Sequence, residues 1–228
     1  FEYRVNFFEQ KGILLVNTND QNDKVDILVP YYNFMAGVQS IQDALQNHSK
    51  NFNLLVSNDS KDLDLNLKTN WIKGPQNGPA ANWNFLIKHV RCSRFMLVHQ
   101  DEVICPTPGY QKTQFDKNII YVTDLQLIKN NKTIYLSGKL RAFLMNYFPR
   151  LIFNINFIGP TACLLIPNNN LRFNEKLNWL VDVDYYWRLR EIYRFEYTPH
   201  ILTISNTDTE QSITNSGKLG KIDDLLKK

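Results

Sequence analysis

Sulfur is scarce and its placement is uninformative for metal binding. The three cysteines, Cys92, Cys105 and Cys163, form an odd set without close ligand spacing, and two of them lie in or beside apolar runs. That points away from a disulfide framework and predicts a reduced, cytoplasmic setting. No apolar stretch is long enough to span a bilayer, so the chain is read as soluble or peripheral to a membrane. Charge of one sign is not concentrated either. The net charge is +4, with lysines and arginines scattered among aspartates rather than drawn into a stripe, which argues against a nucleic-acid partner. No signal-peptide pattern is present, and a chain opening on Phe1 reads as an excised piece of a longer protein. Asn-X-Ser/Thr triplets at Asn47, Asn58 and Asn131 are expected by chance in so asparagine-rich a sequence, and secretion is not inferred from them. What is present is a globular composition, 43% hydrophobic and 13% aromatic over 228 residues, enough for one sizeable core with a short tail.

The first half alternates strand and helix. Val25-Asp26-Ile27-Leu28-Val29 is a short β-rich run that Pro30 is expected to close. Val38, Ile41 and Leu45 are spaced for one helical face, ended by Asn47-His48-Ser49, and Phe52 to Val56 makes a second strand. Ala80 to Val90 is a further helix with an imperfect apolar face, begun by Pro79, and Phe95 to Val98 the next strand. Strands separated by helices predict an α/β fold with a parallel sheet, its strand carboxyl ends on one edge. Asp59 and Asp101 then face the same crevice.

The run Arg94-Phe95-Met96-Leu97-Val98 stops at the polar tetrad His99-Gln100-Asp101-Glu102. Carboxylates at a strand's carboxyl end sit where open α/β sheets bind ligands, and hard divalent cations take oxygen ligands. The first hypothesis is therefore a metal-assisted nucleotide site, with loop solvation as the alternative. Asp101 is the expected metal ligand; Glu102 is read as solvated, with a second ligand role as the alternative. A nucleoside diphosphate also needs an aromatic wall and a hydrogen-bond acceptor. Tyr31 or Tyr32 can supply the first unless both simply pack beside Pro30, and Asp59 the second unless it only forms a turn. A second acidic constellation, Asp182 and Asp184, stands between Trp179 and the cluster Tyr185-Tyr186-Trp187. Leu177, Leu180, Tyr185 and Leu189 partly match a helical face, so Asp182 falls near a helix start, where it also serves as a favourable terminal charge. The nearby aromatics, Trp179 and Trp187, can form a platform for a sugar ring or pack under the sheet.

The order of these pieces resembles a family 2 glycosyltransferase of the GT-A fold. Val29-Pro30-Tyr31-Tyr32-Asn33 is similar to that family's opening strand turn, Asn58-Asp59-Ser60-Lys61-Asp62 to its acidic second loop, and Gly74 to Asn82 loosely to its glycine-rich segment. His99-Gln100-Asp101 aligns with the Asp-X-Asp motif. Phe157-Ile158-Gly159-Pro160-Thr161, Phe173 to Leu177 and Val181-Asp182-Val183-Asp184 look like the acceptor-side segment. The match runs over roughly residues 25 to 205.

The resemblance implies a single GT-A-type domain with a mostly parallel central sheet flanked by helices. It implies an inverting transfer of sugar from a nucleotide-diphosphate sugar donor to a glycan or lipid-linked acceptor, assisted by Mn²⁺ or Mg²⁺. Pro30, Tyr31, Tyr32, Asn33, Asp59, Asn82, His99 and Gln100 would hold the donor nucleotide and Asp101 the metal. Asp182 would be the base, Asp184 its rival or support, with Gly159, Trp179 and Trp187 on the acceptor side. The chain departs from the pattern at His99, where an aspartate is usual, and at Val181, where a glutamate is. The first departure bears on the usual ribose contact, the second makes Asp184 a rival base, and together they motivate a second hypothesis, a catalytically weakened nucleotide- or glycan-binding module of the same fold. A nucleotidyltransferase is disfavoured because no arginine- and glycine-rich phosphate loop follows the first strand.

The organisation expected is an N-terminal hairpin-like extension over 1–24, a nucleotide-binding half over 25–102, an acceptor-binding and catalytic half over 103–205, and a polar tail over 206–228. Within the second half, Asn118 to Val122 and Thr133 to Leu136 predict two strands joined near Lys129-Asn130-Asn131-Lys132, followed by a helix from Lys139 to Phe148. This insertion is expected to shape the acceptor side. The mild basic charge leaves peripheral contact with an anionic membrane as a further expectation.

Overall fold

The structure, a computed structural model, describes residues 24–32, 35–60, 70–107, 109–110 and 115–206. The expected hairpin at Phe1 to Asn17, the donor-site Asn33 and the tail beyond Asn206 lie outside the described residues.

Strand β1 (Val25–Tyr31) is buried along its whole length and lies between β2 (Phe52–Asn58) and β4 (Arg94–Leu97), parallel to both. Strand β3 (Asn70–Lys73) adds to β2, again parallel. Side chains alternate across these strands with the period of two that a pleated sheet imposes. Ile27, Val29, Met96 and Val98 enter one core, and Leu28, Phe95 and Leu97 the other. Helix α1 (Met35–Leu45) covers the first face with Val38, Ile41 and Leu45, the spacing read from the sequence. Helix α2 (Pro79–Lys88) covers the second with Leu86 and Ile87, joined there by Ala142 and Met145 of α3 (Gly138–Tyr147) and by α4 (Val181–Arg190).

Pro30 does not close β1; the strand runs one residue further. The reason lies in the ladder. Leu28 C=O accepts from Val98 N–H on the β4 side, and Tyr31 C=O accepts from Asp59 N–H on the β2 side. Backbone groups alternate sides along a strand, so the N–H that proline lacks would face β4, beyond the last paired residue there, Leu28 against Leu97.

Beyond β4 the sheet becomes mixed. Antiparallel β8 (Leu164–Pro167) bridges β4 to β6 (Ile119–Lys129), β9 (Arg194–Asn206) runs parallel to β6, and β5 (Glu102–Pro106) closes the edge antiparallel to β9. The order is β3-β2-β1-β4-β8-β6-β9-β5, with β7 (Lys132–Leu136) paired to β6 as the predicted hairpin, turned by Asn130 and Asn131 at positive φ. Pro199 sits where the β6–β9 register slips, between the Val122–Tyr197 and Asp124–Leu202 pairs, a position that needs no ladder donor.

Helix α4 starts later than its predicted apolar face. Leu180 takes a left-handed conformation (φ 55°, ψ 29°), so Leu177 and Leu180 fall outside the helix, and Val183, Tyr185, Tyr186 and Leu189 face the core. Asp182 and Asp184 occupy its first turn and Arg188 and Arg190 its last, each sign at the end of the helix dipole that favours it.

Candidate functional site

The parallel strands β1, β2 and β4 deliver their carboxyl ends to one edge, and the site is assembled there. Between β4 and β5 the chain reverses in a four-residue turn, Glu102 N–H donating to His99 C=O at 3.0 Å. The Glu102 side chain then folds back, its Oε2 accepting from His99 N–H at 2.8 Å and both carboxylate oxygens lying 3.4 Å from His99 Nδ1. Only 4% of Glu102 is exposed. The expectation of a solvated Glu102 is therefore corrected: burial of a carboxylate requires a partner, and His99 is that partner.

His99 is held from the other side by Trp83 of α2, edge-on at 5.1 Å. Burial alone would depress the imidazole pKa. The Glu102 carboxylate beside it, with Asp101 and Asp182 further away, outweighs that effect and raises it. Nε2 is buried and finds no hydrogen-bond partner among the described residues. Burial raises the pKa of Asp101 as well, and Glu102 adds to the shift while His99 opposes it.

Gln100 fixes the turn against β1. Its Nε2 donates to Tyr32 C=O and its Oε1 accepts from Tyr32 N–H, both at 2.9 Å. This leaves the Tyr32 ring 62% exposed at the mouth of the edge, whereas Tyr31 is buried in the core below α1. Pro30 is buried within β1. Of the two tyrosines, Tyr32 is the one with a ring face open to a ligand.

Asp59 starts the loop after β2, and its Oδ1 accepts from Gln76 N–H at 2.6 Å. Gly74 makes that approach feasible: a Cβ there would lie 2.6 Å from Asp59 Oδ1 and 2.9 Å from Ser57 Oγ. Asn82 is buried, and its Oδ1 accepts from Ser57 Oγ. Asn84, two residues on, is buried as well, accepting from Phe173 N–H at 2.7 Å and donating to Phe173 C=O at 2.9 Å and to Glu175 Oε1 at 2.7 Å. These two amides account for the imperfect apolar face of α2: they fill core-side positions as hydrogen-bonding groups.

The segment expected on the acceptor side comes to the same place. Gly159 has φ 80°, open to glycine at little cost, and its carbonyl accepts from Tyr186 Oη–H at 3.1 Å. Asn156 brackets Gly159, accepting from its N–H at 3.1 Å and donating to its carbonyl at 3.3 Å, while the same Nδ2 donates to Asp182 Oδ2 at 2.6 Å. Thr161 Oγ1 ties this loop to β4 through Leu97 C=O at 2.9 Å. Burial raises the Asp182 pKa above the ordinary carboxylate value, with the N–H groups of the helix start, the charge of His99 and the Asn156 amide opposing. Asp184 is engaged otherwise, its Oδ2 accepting from Arg188 at 2.6 and 3.0 Å. Trp187 packs against Phe153 at 5.1 Å, and Trp179 stands 52% exposed just before α4.

Among the described residues, no group of three or more His, Cys, Asp or Glu side chains is arranged to hold a metal ion. Cys92 is no ligand candidate, since burial and then the neighbouring Asp26 carboxylate push its thiol up to about 12.

No protein-family model matches the chain, and no curated protein matches it. Solved structures do. TarS of S. aureus aligns over 82% of this chain and 37% of its own, at TM-score 0.60 and 16% identity. TarS 1-349 with UDP-GlcNAc aligns over 83% of this chain and 61% of its own, at 0.59 and 15%, and the same fragment with UDP over 79% and 60%, at 0.58 and 15%. The fold is of the GT-A type. At these identities the likeness speaks for the fold alone, and the chain spans less than two thirds of each TarS structure.

Within that fold, Tyr32, His99, Gln100, Asp101 and Asp59 share the strand-end edge, and charge coupling links His99 to Asp182 across it. Two contributors, Trp83 and Asn156, were not found from sequence, and a third, Glu102, was misread as solvated. Trp83 follows Asn82 on the same helix and had a signal, an aromatic next to a glycine-rich loop. Glu102 had one too, three residues from His99 across a turn. Asn156 had none; its partner Asp182 is 26 residues away, and asparagine is too common here to stand out.

Proposed function

We propose that this protein transfers a sugar from a nucleotide-diphosphate sugar to an acceptor hydroxyl, with inversion at the anomeric carbon. The observation that carries the reading is the meeting, at the carboxyl edge of a GT-A-type sheet, of the His99–Glu102 turn with Asp182 held at the start of α4 by Asn156. In TarS the same fold accommodates UDP and UDP-GlcNAc.

The exposed ring of Tyr32 serves as the wall for the base, and Asp59 as acceptor for base or ribose. His99, paired through Nδ1 with Glu102, fixes the turn that carries Asp101 beside the donor. Asp182 takes the proton of the acceptor hydroxyl as that oxygen bonds to the anomeric carbon. The bond from that carbon to the phosphate oxygen breaks in the same step, and the nucleoside diphosphate leaves with the electron pair. A half-buried carboxylate with a raised pKa is a better base than a fully solvated one, and the Asn156 amide engages Oδ2.

The residues fit a divalent ion only as a shared site. Glu102 is committed to His99, so Asp101 would be the carboxylate of the turn that holds Mg²⁺ or Mn²⁺. Bound there, the ion would neutralise charge developing on the leaving diphosphate.

Calorimetry with UDP and related nucleoside diphosphates, with and without Mn²⁺, and turnover of the corresponding sugar donors test the reading. Asp101→Ala is expected to abolish metal-dependent nucleotide binding. Asp182→Asn is expected to bind donor normally while losing on the order of 10²–10⁴-fold in turnover. Full turnover in folded Asp182→Asn removes that residue from the chemistry. Tight nucleotide binding by the wild type with no turnover of any donor favours the binding-module reading, which the His99 and Val181 departures motivate.

A further inference from the structure

After the β6–β7 hairpin the chain turns apolar side chains outward. Leu140, Phe143 and Tyr147 repeat along one face of α3 and are 57%, 49% and 65% exposed, while Ala142 and Met145 on the opposite face fill the core. Phe148, Leu151 and Phe153 continue the exposed face through the 3₁₀ turn Pro149–Phe153. The rings are contiguous: Phe143 lies 4.8 Å from Tyr147 and 6.1 Å from Phe148. Apolar surface gathered in this way marks a place of contact with another phase or molecule.

Charge decides which. From Leu125 to Asn174 the sequence contains no aspartate or glutamate, and Lys129, Lys132, Lys139 and Arg150 are exposed within that stretch. Lys139 borders an apolar groove with Leu140 and Phe143. The carboxylate that precedes the stretch, Asp124, faces inward, bonded to Tyr197 Oη at 2.6 Å and Gly138 N–H at 2.8 Å. Aromatic rings flanked by Lys139 and Arg150, on a segment without a carboxylate of its own, match the boundary between acyl chains and anionic headgroups, and the acid of the neighbouring β9, Glu196, is paired with Arg194. Among the described residues no helix is long and apolar enough to cross a membrane, so contact is lateral.

We infer that this face docks onto an anionic phospholipid bilayer, with the α3 aromatics at the acyl boundary and Lys139 and Arg150 at the phosphates. Ile155, 72% exposed, adjoins Asn156, and Asn156 holds Asp182. Docking thus sets the candidate base beside the membrane, where a lipid-borne acceptor would present its hydroxyl; this last step rests on the proposed function, whereas docking itself does not.

Vesicle flotation of the whole chain, without donor or metal, tests it. The protein is expected to float with phosphatidylcholine vesicles containing phosphatidylglycerol, not with phosphatidylcholine alone, and to dissociate as salt rises. Phe143→Ser with Tyr147→Ser should release it. Lys139→Glu with Arg150→Glu, which touches no core residue, should weaken partitioning on the order of tenfold or more. Failure to float with anionic vesicles at low salt overturns the inference, as does flotation unchanged by the charge reversals. So does an oligomer that the Phe143→Ser variant dissolves, which assigns the face to a second copy. Because no donor is present, a loss of transferase activity leaves this result standing, and the reverse.

Discussion

The carboxamide of Gln100 meets the peptide group of Tyr32 at two points, 2.9 Å each, so a side chain stands in for a neighbouring strand at the end of β1. Three other amides do the same: Asn84 on Phe173, Asn146 on Phe195 and Asn156 on Gly159. An amide is suited to this because it offers a donor and an acceptor side by side. The abundance of asparagine in the chain thus has a structural use, and at Asn156 it reaches the candidate site.

Gln100→Glu replaces the donor with a carboxylate facing Tyr32 C=O. The clamp is exposed, so the expected loss of stability is about 0.5–1.5 kcal/mol, a fall of a few degrees in Tm. Nucleotide affinity should fall by more than stability does, since Tyr32 and Asp101 lose their common anchor. Equal wild-type affinity in a calorimetric titration would separate the clamp from the donor site.

Asn84→Asp sets a second carboxylate against Glu175 Oε1, which Asn84 Nδ2 now approaches to 2.7 Å, at a buried position. The donor to Phe173 C=O goes as well. A cost of about 3 kcal/mol is expected, read as a lowered midpoint in urea unfolding, and lowering the pH should restore part of it.

Asp182 couples stability to pH in an unusual sense. Its folded-state pKa lies above that of the unfolded chain, so the native state binds more protons between the two values. Its contribution to stability is therefore greatest below that window and declines as pH rises through it. Asp182→Asn is expected to match or exceed wild-type Tm at neutral pH while turnover collapses. In the wild type, kcat should rise with pH through a midpoint above the ordinary carboxylate range. A midpoint at or below that range would show that another group titrates.

Leu180, 40% exposed, holds a left-handed backbone immediately before α4. Asparagine tolerates that conformation better than leucine, and Leu180→Asn should stabilise the protein by about 0.5–1 kcal/mol. Thermal unfolding reads the gain. A drop in Tm would mean that the Leu180 side chain contributes more packing than its exposure indicates.

Strands β1, β2 and β4 and the Lys129–Lys132 turn were legible because each is local: a short apolar run, or a polar turn between two such runs. Helix α1 was legible by its Val38, Ile41 and Leu45 spacing. The long pairing of β6 with β9 was not, since it joins Ile119 to Arg194 across the whole second half. Pro30 misled because its missing N–H is harmless only if one knows where the β4 ladder ends. At the site, the positions of His99, Asp101 and Asp182 were readable from polar residues breaking apolar runs. The burial of Glu102 was not, because a carboxylate after a strand looks the same in sequence whether it faces water or a histidine. The sequence put Asp182 first as base with Asp184 as its rival, and could not show that Arg188 pairs with Asp184 and Asn156 with Asp182.

A structure fastened by amides also ages through them. Asparagine and glutamine are among the thermally least durable side chains, and their hydrolysis turns a donor into a carboxylate without breaking the chain. At Asn156 that change would set a negative charge against Asp182 and release Gly159; at Asn84 it would do the same beside Glu175. Storage or mild heating is then expected to wear out activity before the fold is lost, leaving intact but more acidic molecules, separable from fresh protein by their isoelectric point.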